Sequence, residues 1–390
     1  MVKTICHDIT YMQVRTFFYT IFHSFIDTLS EFQIILRLSL LDKKHRPLII
    51  AGPCSAETEL QVLGTAQKLA KLEKVDLFRA GIWKPRTRPG SFEGVGPKGL
   101  PWLQEVKKQT GLPLTVEVAK AAHVELCLKA GIDVLWVGAR TTVNPFAVQE
   151  IADALRGVDI PVLVKNPINP DLALWLGGME RFVAVGIKRL GAIHRGFSNL
   201  NEKYYRNRPQ WQLALDFKRE LPDIPLINDP SHICGRRDIL QEVAQKAMDL
   251  NFDGLMIETH LDPDNAWSDA AQQITPETLD KMLSDMVFRN GHEDAVALQS
   301  ELVILRQSID NIDEEILNLL SNRMQVARKI GSYKKSNGIT ILQQKRWNEI
   351  IERSKLQGSK SGLSDDFIIR LINAIHHESI EHQEEVFKRE

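Results

Sequence analysis

The sequence predicts an α/β protein: a (β/α)8 (TIM) barrel followed by an all-α domain of three helices. Two patterns carry this prediction. From residue 46 to 288, short aliphatic runs alternate with longer helical patterns, and from 297 to 390 the pattern is helical only. Parallel strands that are covered on both faces have continuous aliphatic sequences. Eight strand-and-helix units in about 240 residues agree with the size of one barrel.

Eight aliphatic runs predict the strands of the barrel. Each run is short, and Gly, Pro, Asn or Asp flanks it, as is typical of strands that end in turns. The runs are Leu48–Ala51, Leu77–Ile82, Leu114–Val118, Val134–Val137, Val162–Val164, Ala192–His194, Leu226–Ile227 and Gly254–Ile257.

The C-terminal part of the chain predicts three helices after a polar linker at residues 289–296. Leucine and isoleucine recur there at spacings of three and four, which indicates one long helix from about residue 294 to 336. A second helix is expected at Gln343–Leu356, a turn at Gly358–Gly362, and a third helix that Ser364 caps. The apolar residues of the long helix are Leu298, Leu302, Leu305, Ile309, Ile312, Ile316 and Leu319.

Composition restricts the class of protein. The 390 residues carry a net charge of −1, so no global basic field attracts nucleic acid or acidic membranes. The four cysteines form no CxxC pair, which favours a reduced, cytoplasmic compartment. In the N-terminal extension, residues 1–45, the segment Met12–Leu41 is rich in Phe, Ile and Leu but is interrupted by Arg15, Asp27 and Arg37, which disfavours a membrane span or a signal peptide. We expect this N-terminal extension to be poorly ordered.

Cationic side chains follow many of the predicted strands, and in such barrels the C-terminal ends of the strands surround the active site. A single charge after a strand is usually solvated, but here every strand is followed by a polar group. Arginine offers two parallel donors to phosphate or carboxylate, so the cations indicate a small anionic substrate. They are Arg79, Lys84, Arg86, Arg140, Lys165 and Arg195.

A second set of polar side chains indicates a metal ion. Cys54, His232, Glu258 and Asp269 offer a thiolate, an imidazole and two carboxylates. This mixed set suits a divalent Mn, Fe, Co or Zn ion. The four residues are far apart in the sequence and form no local metal motif. A barrel that binds a sugar phosphate without chemistry is the alternative, and the complete set of metal donors argues against it.

Several motifs occur in order along the barrel region: GPCSAE at 52–57, FRAGIWKPRTRPGSF at 78–92, VGAR at 137–140, VLVK at 162–165, HRG at 194–196, DPSH at 229–232 and MIETH at 256–260. Together they resemble the 3-deoxy-D-arabino-heptulosonate 7-phosphate (DAHP) synthases of the short, single-barrel type. The related 3-deoxy-D-manno-octulosonate 8-phosphate synthases have Lys-Ala-Asn-Arg where this chain has KPRT at 84–87. The resemblance therefore implies that phosphoenolpyruvate condenses with erythrose 4-phosphate.

The resemblance also implies a role for each matching residue. The four donors named above would bind the metal ion, which polarises the aldehyde. Lys84 would protonate the new alkoxide, and Glu117 would orient the water that attacks C2 of phosphoenolpyruvate. The aldehyde substrate would contact Arg86, Thr87 and Asp229. Phosphoenolpyruvate would be held by Arg79, Lys84, Arg140, Lys165 and Arg195.

The helical region resembles the all-helical chorismate mutase family over about residues 297–386, beginning with LRQSID at 305–310. Arg306, Arg323 and Arg346 would hold the carboxylates of chorismate. Charge at the breaking ether bond would be stabilised by Lys334 and Gln383. Ser379 lies one turn before Gln383 on the same helix face. In this family two chains interlock, and the arginine at the position of Arg306 enters the partner's site, which implies a homodimer.

The second helix departs from the mutase pattern. Many relatives have Asp and then Arg-Glu there, whereas this chain has Gln343 and then Arg346 and Trp347. The missing glutamate usually contacts the hydroxyl of the substrate. The alternative is therefore a dimerisation module that senses prephenate and has little mutase activity. The fusion leads us to expect that prephenate regulates the barrel allosterically.

Overall fold

The computed structural model describes residues 47–84, 90, 92–199, 203–289 and 296–388, except for the side chains of residues 296–301 and 303. The chain folds into two compact units, residues 1–291 and 292–390. Our predictions for the extension at 1–45, for Arg86 and Thr87, and for most of the linker at 289–296 fall outside the described residues.

Eight parallel strands form a closed barrel in which each strand pairs with its neighbours in the sequence and the last pairs with the first. They are β1 (Leu48–Gly52), β2 (Leu77–Arg79), β3 (Leu114–Val118), β4 (Val134–Val137), β5 (Val162–Lys165), β6 (Leu190–His194), β7 (Leu226–Asn228) and β8 (Gly254–Glu258). The predicted barrel is confirmed. β2 ends three residues earlier than we predicted, because Gly81 bridges instead to Ser55 in the loop after β1.

The described helices of the first unit lie between and after the strands of this barrel in the sequence. They are α1 (Glu59–Ala70), α2 (Gly99–Thr110), α3 (Ala121–Lys129), α4 (Ala139–Thr142), α5 (Pro145–Ala154), α6 (Leu172–Ala184), α7 (Trp211–Glu220), α8 (Pro230–Cys234), α9 (Leu240–Asp249) and α10 (Pro276–Asp285). Short 3-10 turns lie at Gly96–Lys98, Pro263–Asn265 and Ala270–Gln272. The second unit has α11 (Val296–Ser336), α12 (Gln344–Lys360) and α13 (Asp365–Lys388). Within the described parts of the chain, no helix combines the length and apolarity that a membrane crossing requires.

Side-chain caps explain where several helices begin. The Thr58 hydroxyl accepts a hydrogen bond from the Gln61 backbone N–H at 3.1 Å, before the first turn of α1. The Asp171 carboxylate accepts from the Leu174 N–H at 2.9 Å before α6. Each cap satisfies a donor that the first helical turn leaves without a partner. A polar residue thus marks the start of each of these two helices.

Apolar side chains fill both the inside of the barrel and the layer between strands and helices. Nine residues pack inside it: Leu48, Ile50, Leu77, Val134, Trp136, Leu163, Ile193, Ile227 and Met256. In the outer layer, the rings of Trp175 on α6 and Phe217 on α7 stack with centroids 4.0 Å apart. Because side chains fill the interior, binding and chemistry are restricted to the rim.

In the second unit, α11 packs against α13, and α12 packs against α13. A Cβ added at Gly331 of α11 would lie 3.1 Å from Cα of Gln383, so this glycine permits the close approach of the two helices. The turn that we predicted to begin at Gly358 is wrong: α12 continues to Lys360 because Gly358 packs inside the helix against Ile368. The Ser364 cap is confirmed, since its hydroxyl accepts from the Phe367 N–H at 3.3 Å.

Loss of a core ring should destabilise the barrel far more than loss of an exposed one. Phe217 is fully buried, whereas Phe146 on α5 is 89% exposed. We predict that Phe217→Ala lowers the free energy of unfolding of the barrel by about 3–5 kcal/mol. Phe146→Ala should change it by less than about 0.5 kcal/mol. Denaturant unfolding followed by tryptophan fluorescence measures both, and equal effects would contradict this packing.

Candidate functional site

The loop after β1 brings Cys54 into the rim of the barrel. A Cβ at Gly52 would lie 2.1 Å from the backbone oxygen of Arg79, so only glycine permits this approach of β1 to β2. Cys54 is fully buried, and its backbone N–H donates to Oε1 of Gln273 at 2.9 Å. Nζ of Lys84 donates to the Cys54 backbone oxygen at 2.9 Å and lies 3.0 Å from Sγ. The thiol therefore has a fixed position beside a cation.

Three of the four predicted metal donors meet at one point. One ligand atom from each of Cys54, Glu258 and Asp269 lies within 4.8 Å of the other two. Sγ of Cys54 is 3.3 Å from Oδ2 of Asp269. Glu258 ends β8 and is fully buried, and Asp269 has a left-handed backbone with φ of 50° just before the turn at Ala270–Gln272. Distant parts of the chain thus supply a thiol and two carboxylates to one small volume.

The fourth predicted donor, His232, lies beside this group. Its Nε2 is 3.7 Å from Oε1 of Glu258, and its Nδ1 is 2.8 Å from Oδ2 of Asp229. Burial lowers the pKa of His232, so the ring is neutral at neutral pH, and Asp229 favours the tautomer with the proton on Nδ1. The lone pair of Nε2 then faces Glu258. Histidines that bind metal ions usually donate their other ring N–H to a carboxylate in this way.

Burial and neighbouring charges set the ionisation of the donors. Burial, and then the charge of Glu258, raise the pKa of the Cys54 thiol to about 12. Burial also disfavours the ionised form of Glu258, but His232 and Arg79 outweigh it and hold the pKa of this carboxyl below its ordinary value. We call Cys54, His232, Glu258 and Asp269 the donor cluster. Without a bound cation, this cluster thus contains two carboxylates and a neutral thiol. A divalent ion would stabilise the thiolate.

Cationic side chains surround a pocket next to the donor cluster. Nζ of Lys165 donates to Oδ2 of Asp229 at 2.6 Å, and Nη1 of Arg195 donates to Oδ1 of Asn207 at 2.7 Å. Burial lowers the pKa of Arg195 to about 10, and this group still remains charged at neutral pH. The residues that line the pocket are Lys84, Glu117, Gly138, Ala139, Arg140, Lys165, Ile168, Arg195, Arg206, His232 and Asp269. Most of the predicted cations and two metal donors therefore face the same space.

Two predicted residues occupy more enclosed positions than the pocket wall. Arg79 is 1% exposed, and its Nη2 lies 3.2 Å from Oε1 of Glu258. Its Nε and Nη1 are buried and have no hydrogen-bond partner among the described residues. Asp229 has no exposed surface and accepts from both Lys165 and His232. Arg79 thus lies beneath the cluster, and Asp229 orients its neighbours.

Glu117 approaches the pocket from the end of β3. A Cβ added at Gly138 would lie only 2.0 Å from Oε1 of Glu117, so the glycine of the VGAR motif makes room for this carboxylate. Arg140, two residues later, is exposed at the pocket wall. The short motif therefore positions both an acid and a cation.

Arg206 and Gln272 belong to the site although our sequence reasoning did not identify them. Nη1 of Arg206 donates to Oδ1 of Asp269 at 3.0 Å and to Oε1 of Gln272 at 2.6 Å. Nε2 of Gln272 donates in turn to Oε2 of Glu258 at 2.7 Å. The amide of Gln272 therefore connects an arginine of the pocket wall to two of the metal donors. Arg206 lies in the loop between β6 and α7, and Gln272 ends the 3-10 turn at Ala270–Gln272, so neither residue directly follows a strand.

In the second unit, four of the predicted mutase residues lie along the contact of α11 with α13 or next to it. Arg323 donates to the Ser379 hydroxyl, and Ser379 is 5% exposed. Gln383 is also buried, and its Nε2 donates to the Ser379 backbone oxygen at 3.1 Å. Lys334 donates to the Ile341 backbone oxygen at 2.5 Å. The cations and polar groups of α11 and α13 thus lie close together within one chain.

Arg346 and Arg306 are placed differently. Arg346 is exposed on α12 and pairs with Glu349 at 3.1 Å. Arg306 is exposed on α11, 17 positions before Arg323 in the sequence. At 1.5 Å per residue, this separation is about 25 Å along the helix axis. Arg306 and Arg323 of one chain are therefore too far apart to hold the same small substrate.

Comparison with known proteins agrees with both halves of this description. Residues 38–289 match the model of the DAHP synthetase I family. The chain belongs to this family. Residues 305–384 match the model of chorismate mutase type II. The chain therefore contains a DAHP synthase and a chorismate mutase, the two parts of a bifunctional shikimate-pathway enzyme.

Individual relatives cover the barrel. A phospho-2-dehydro-3-deoxyheptonate aldolase of Thermotoga maritima is 31% identical over 238 residues, which are 61% of this chain and 68% of the relative. A 2-dehydro-3-deoxyphosphooctonate aldolase of Syntrophotalea carbinolica is 26% identical over 62% of this chain and 90% of its own length. The crystal structure of the Thermotoga maritima DAHP synthase has a TM-score of 0.56 at 29% identity, covering 61% of this chain and 67% of that one.

Proposed function

We propose that the DAHP synthase of this chain is metal-dependent and that its reaction takes place in the pocket of cations beside Cys54, Glu258 and Asp269. The observation that carries the proposal is the meeting of these three donors within 4.8 Å, next to the wall formed by Lys84, Arg140, Lys165, Arg195 and Arg206. The cations suit the phosphate and carboxylate of phosphoenolpyruvate.

The chemistry of the donor set supports a divalent ion. The ligands would be Cys54, His232, Glu258 and Asp269, and Oε1 of Glu258 is a buried acceptor without a hydrogen-bond partner among the described residues. A thiolate with an imidazole and carboxylates suits Mn, Fe, Co or Zn. When bound, such an ion supplies Lewis acidity toward the oxygen of the aldehyde. Asp229 and Gln272 would orient His232 and Glu258.

The anion of phosphoenolpyruvate would be held by the cations of the wall, Lys84, Arg140, Lys165 and Arg195, as the sequence predicted. Arg206 joins this set as a fifth cation. Contact of Arg79 with phosphoenolpyruvate stays a prediction, and its Nε and Nη1 are buried without a hydrogen-bond partner among the described residues. Arg86 and Thr87 stay predicted contacts of erythrose 4-phosphate. Contact of Asp229 with a substrate hydroxyl also stays a prediction.

The residues of the pocket support a specific order of bond changes. C3 of phosphoenolpyruvate forms a bond to the carbonyl carbon of the aldehyde, and Lys84 donates a proton to the carbonyl oxygen. Burial opposes the charge of Lys84, but Cys54, Glu258 and Glu117 outweigh it and raise its pKa, so the proton is present at neutral pH. Water then attacks C2 while Glu117 accepts one of its protons. The C2–O bond to phosphate breaks, the new C2 hydroxyl becomes the carbonyl of the product, and its proton leaves with the phosphate.

For the helical domain we propose that the Claisen rearrangement of chorismate takes place between α11 and α13. Arg323 would clamp a carboxylate, and Lys334 and Gln383 would stabilise charge at the ether oxygen. The reaction is unimolecular, so fixed geometry and charge are sufficient for catalysis. Ser379 would orient Arg323, to which it is already hydrogen-bonded. Arg346 and Arg306 would complete the site, the latter from a partner chain.

We propose a homodimer because α11 has a long apolar stripe whose side chains are exposed among the described residues. The side chains of Leu305, Ile309, Ile312, Ile316 and Leu319 are each about half exposed or more, at 55%, 57%, 54%, 48% and 67%. An apolar surface of this extent favours a partner. A second copy supplies an equivalent stripe, as the interlocked mutases imply. Regulation of the barrel by prephenate, through two arrangements of such an assembly, also stays a prediction.

The metal requirement can be tested at the thiol. We predict that Cys54→Ala reduces condensation of phosphoenolpyruvate with erythrose 4-phosphate by about 100-fold or more, because the thiolate ligand is lost. Added divalent metal should not restore activity. Cys127→Ala is the matched control, since Cys127 is also a free, buried cysteine but lies on α3, outside the site. Phosphate release and bound metal measure the effect, and full activity of Cys54→Ala after rigorous chelation would refute the role.

The mutase assignment can be tested at Arg323. We predict that Arg323→Ala in the full chain lowers chorismate depletion by about 100-fold or more, since a clamp on the substrate anion is removed. Arg328→Ala, which removes an exposed arginine from the same helix, should leave the rate unchanged. If the unaltered chain depletes no chorismate, the prephenate-sensing alternative is favoured instead.

The dimer can be tested by placing a charge in the apolar stripe. We predict that Ile312→Asp converts the dimer to a monomer, because a buried carboxylate without a partner is costly. Asn311→Asp adds the same charge to the neighbouring position, which carries an exposed polar side chain, and should leave the dimer intact. Sedimentation velocity distinguishes the two, and a wild-type monomer at all concentrations would contradict the proposal.

A further inference from the structure

Two aromatic rings stack next to the proposed mutase site. Trp347 on α12 and His376 on α13 have ring centroids 3.8 Å apart and planes inclined by only 13°. Trp347 occupies the position where the sequence departs from the mutase pattern and lacks the glutamate that contacts the substrate hydroxyl. The stack fixes the plane of the His376 imidazole. The imidazole of His376 therefore lies directly beside the position at which the glutamate of the mutase pattern is absent.

His376 has an edge available for hydrogen bonding. Its Nε2 is buried and has no hydrogen-bond partner among the described residues. Buried polar atoms are normally satisfied, so an exception calls for a partner that binds there. Stacking on Trp347 occupies a face of the ring and leaves its edge free to form such a bond.

His376 also lies on the helix face that carries the other mutase groups. At 100° per residue, positions 376 and 383 of α13 differ by about 20°, and positions 376 and 379 by about 60°. Ser379, on this face, accepts from Arg323 of α11. Burial, with the charges of Arg323 and Lys334, lowers the pKa of His376. At neutral pH the ring is therefore an uncharged hydrogen-bonding group close to two cations.

We propose that His376 binds the ring hydroxyl of chorismate through Nε2 and so replaces the carboxylate that is absent at Trp347. Trp347 is a positioning residue that holds the imidazole in this orientation. A neutral ring hydrogen-bonds to a hydroxyl without repelling the substrate dianion, and no proton transfer is required. The inference rests on the mutase function proposed above for the helical domain.

The test uses the full chain and two substrates, chorismate and an analogue in which hydrogen replaces the ring hydroxyl. His376→Phe keeps a flat ring against Trp347 and removes both nitrogens. We expect it to lower kcat/KM for chorismate about tenfold or more, since a site built for a hydroxyl loses its partner. For the analogue, the same variant should have the kcat/KM of the wild type. His376→Gln, which returns an amide, should recover part of the loss.

The control is His377→Phe, at the adjacent, exposed position, which should change neither reaction. Comparison of two substrates on one variant isolates the hydroxyl even if that variant is less stable. Three results would overturn the role of His376: equal losses on both substrates, no loss on chorismate, or no recovery in His376→Gln. If Arg323→Ala still abolishes turnover, the proposed mutase function stands and only the role of His376 fails. Absence of chorismate turnover by the unaltered chain would overturn the proposed mutase function as well.

Discussion

The barrel site depends on one buried ion pair, between Arg79 at the end of β2 and Glu258 at the end of β8. Closure of the barrel places β2 and β8 on either side of β1, so the two side chains meet at 3.2 Å with no more than 1% of either exposed. A buried charge without its partner is strongly destabilising, by about 3–5 kcal/mol. His232 and Arg79 together outweigh the burial of Glu258 and hold the pKa of its carboxyl below the ordinary value. An ionised carboxylate next to the Cys54 thiol is in turn what makes the cluster suited to a divalent cation.

The same balance of charge extends outward from this pair. Lys84 lies against Cys54, Lys165 against Asp229, and Arg206 against Asp269, so the thiol and two of the carboxylates each face a cation of the wall. The wall still holds more cations than these pairs use, with Arg140 and Arg195 in addition. A small dianion completes the balance. In the helical domain the proposed site has fewer groups. Arg323 and Lys334 would offer positive charge to a dicarboxylate, while Ser379 and Gln383 are neutral.

The sequence predicted most of the barrel because its signals are local. Aliphatic runs mark the strands. Polar residues that end a strand, such as Glu258, or follow it, such as Cys54, reach the rim because the C-terminal ends of all eight parallel strands lie at the same end of the barrel. Arg206 and Gln272 were missed since they reach the site through loops whose path no periodicity describes. The end of α12 was misjudged because glycine usually ends a helix, whereas Gly358 is kept within one by its packing against Ile368. The stack of Trp347 on His376 joins two helices and becomes visible only in three dimensions.

The proposed barrel site requires that Cys54 joins carboxylate and imidazole groups around one ion at the rim. X-ray absorption spectroscopy of the zinc- or iron-loaded full chain tests this most directly. We predict one sulfur neighbour, at about 2.3 Å for zinc, together with nitrogen or oxygen neighbours. A first shell of nitrogen and oxygen alone, in protein that carries one ion per chain and is active, would contradict it.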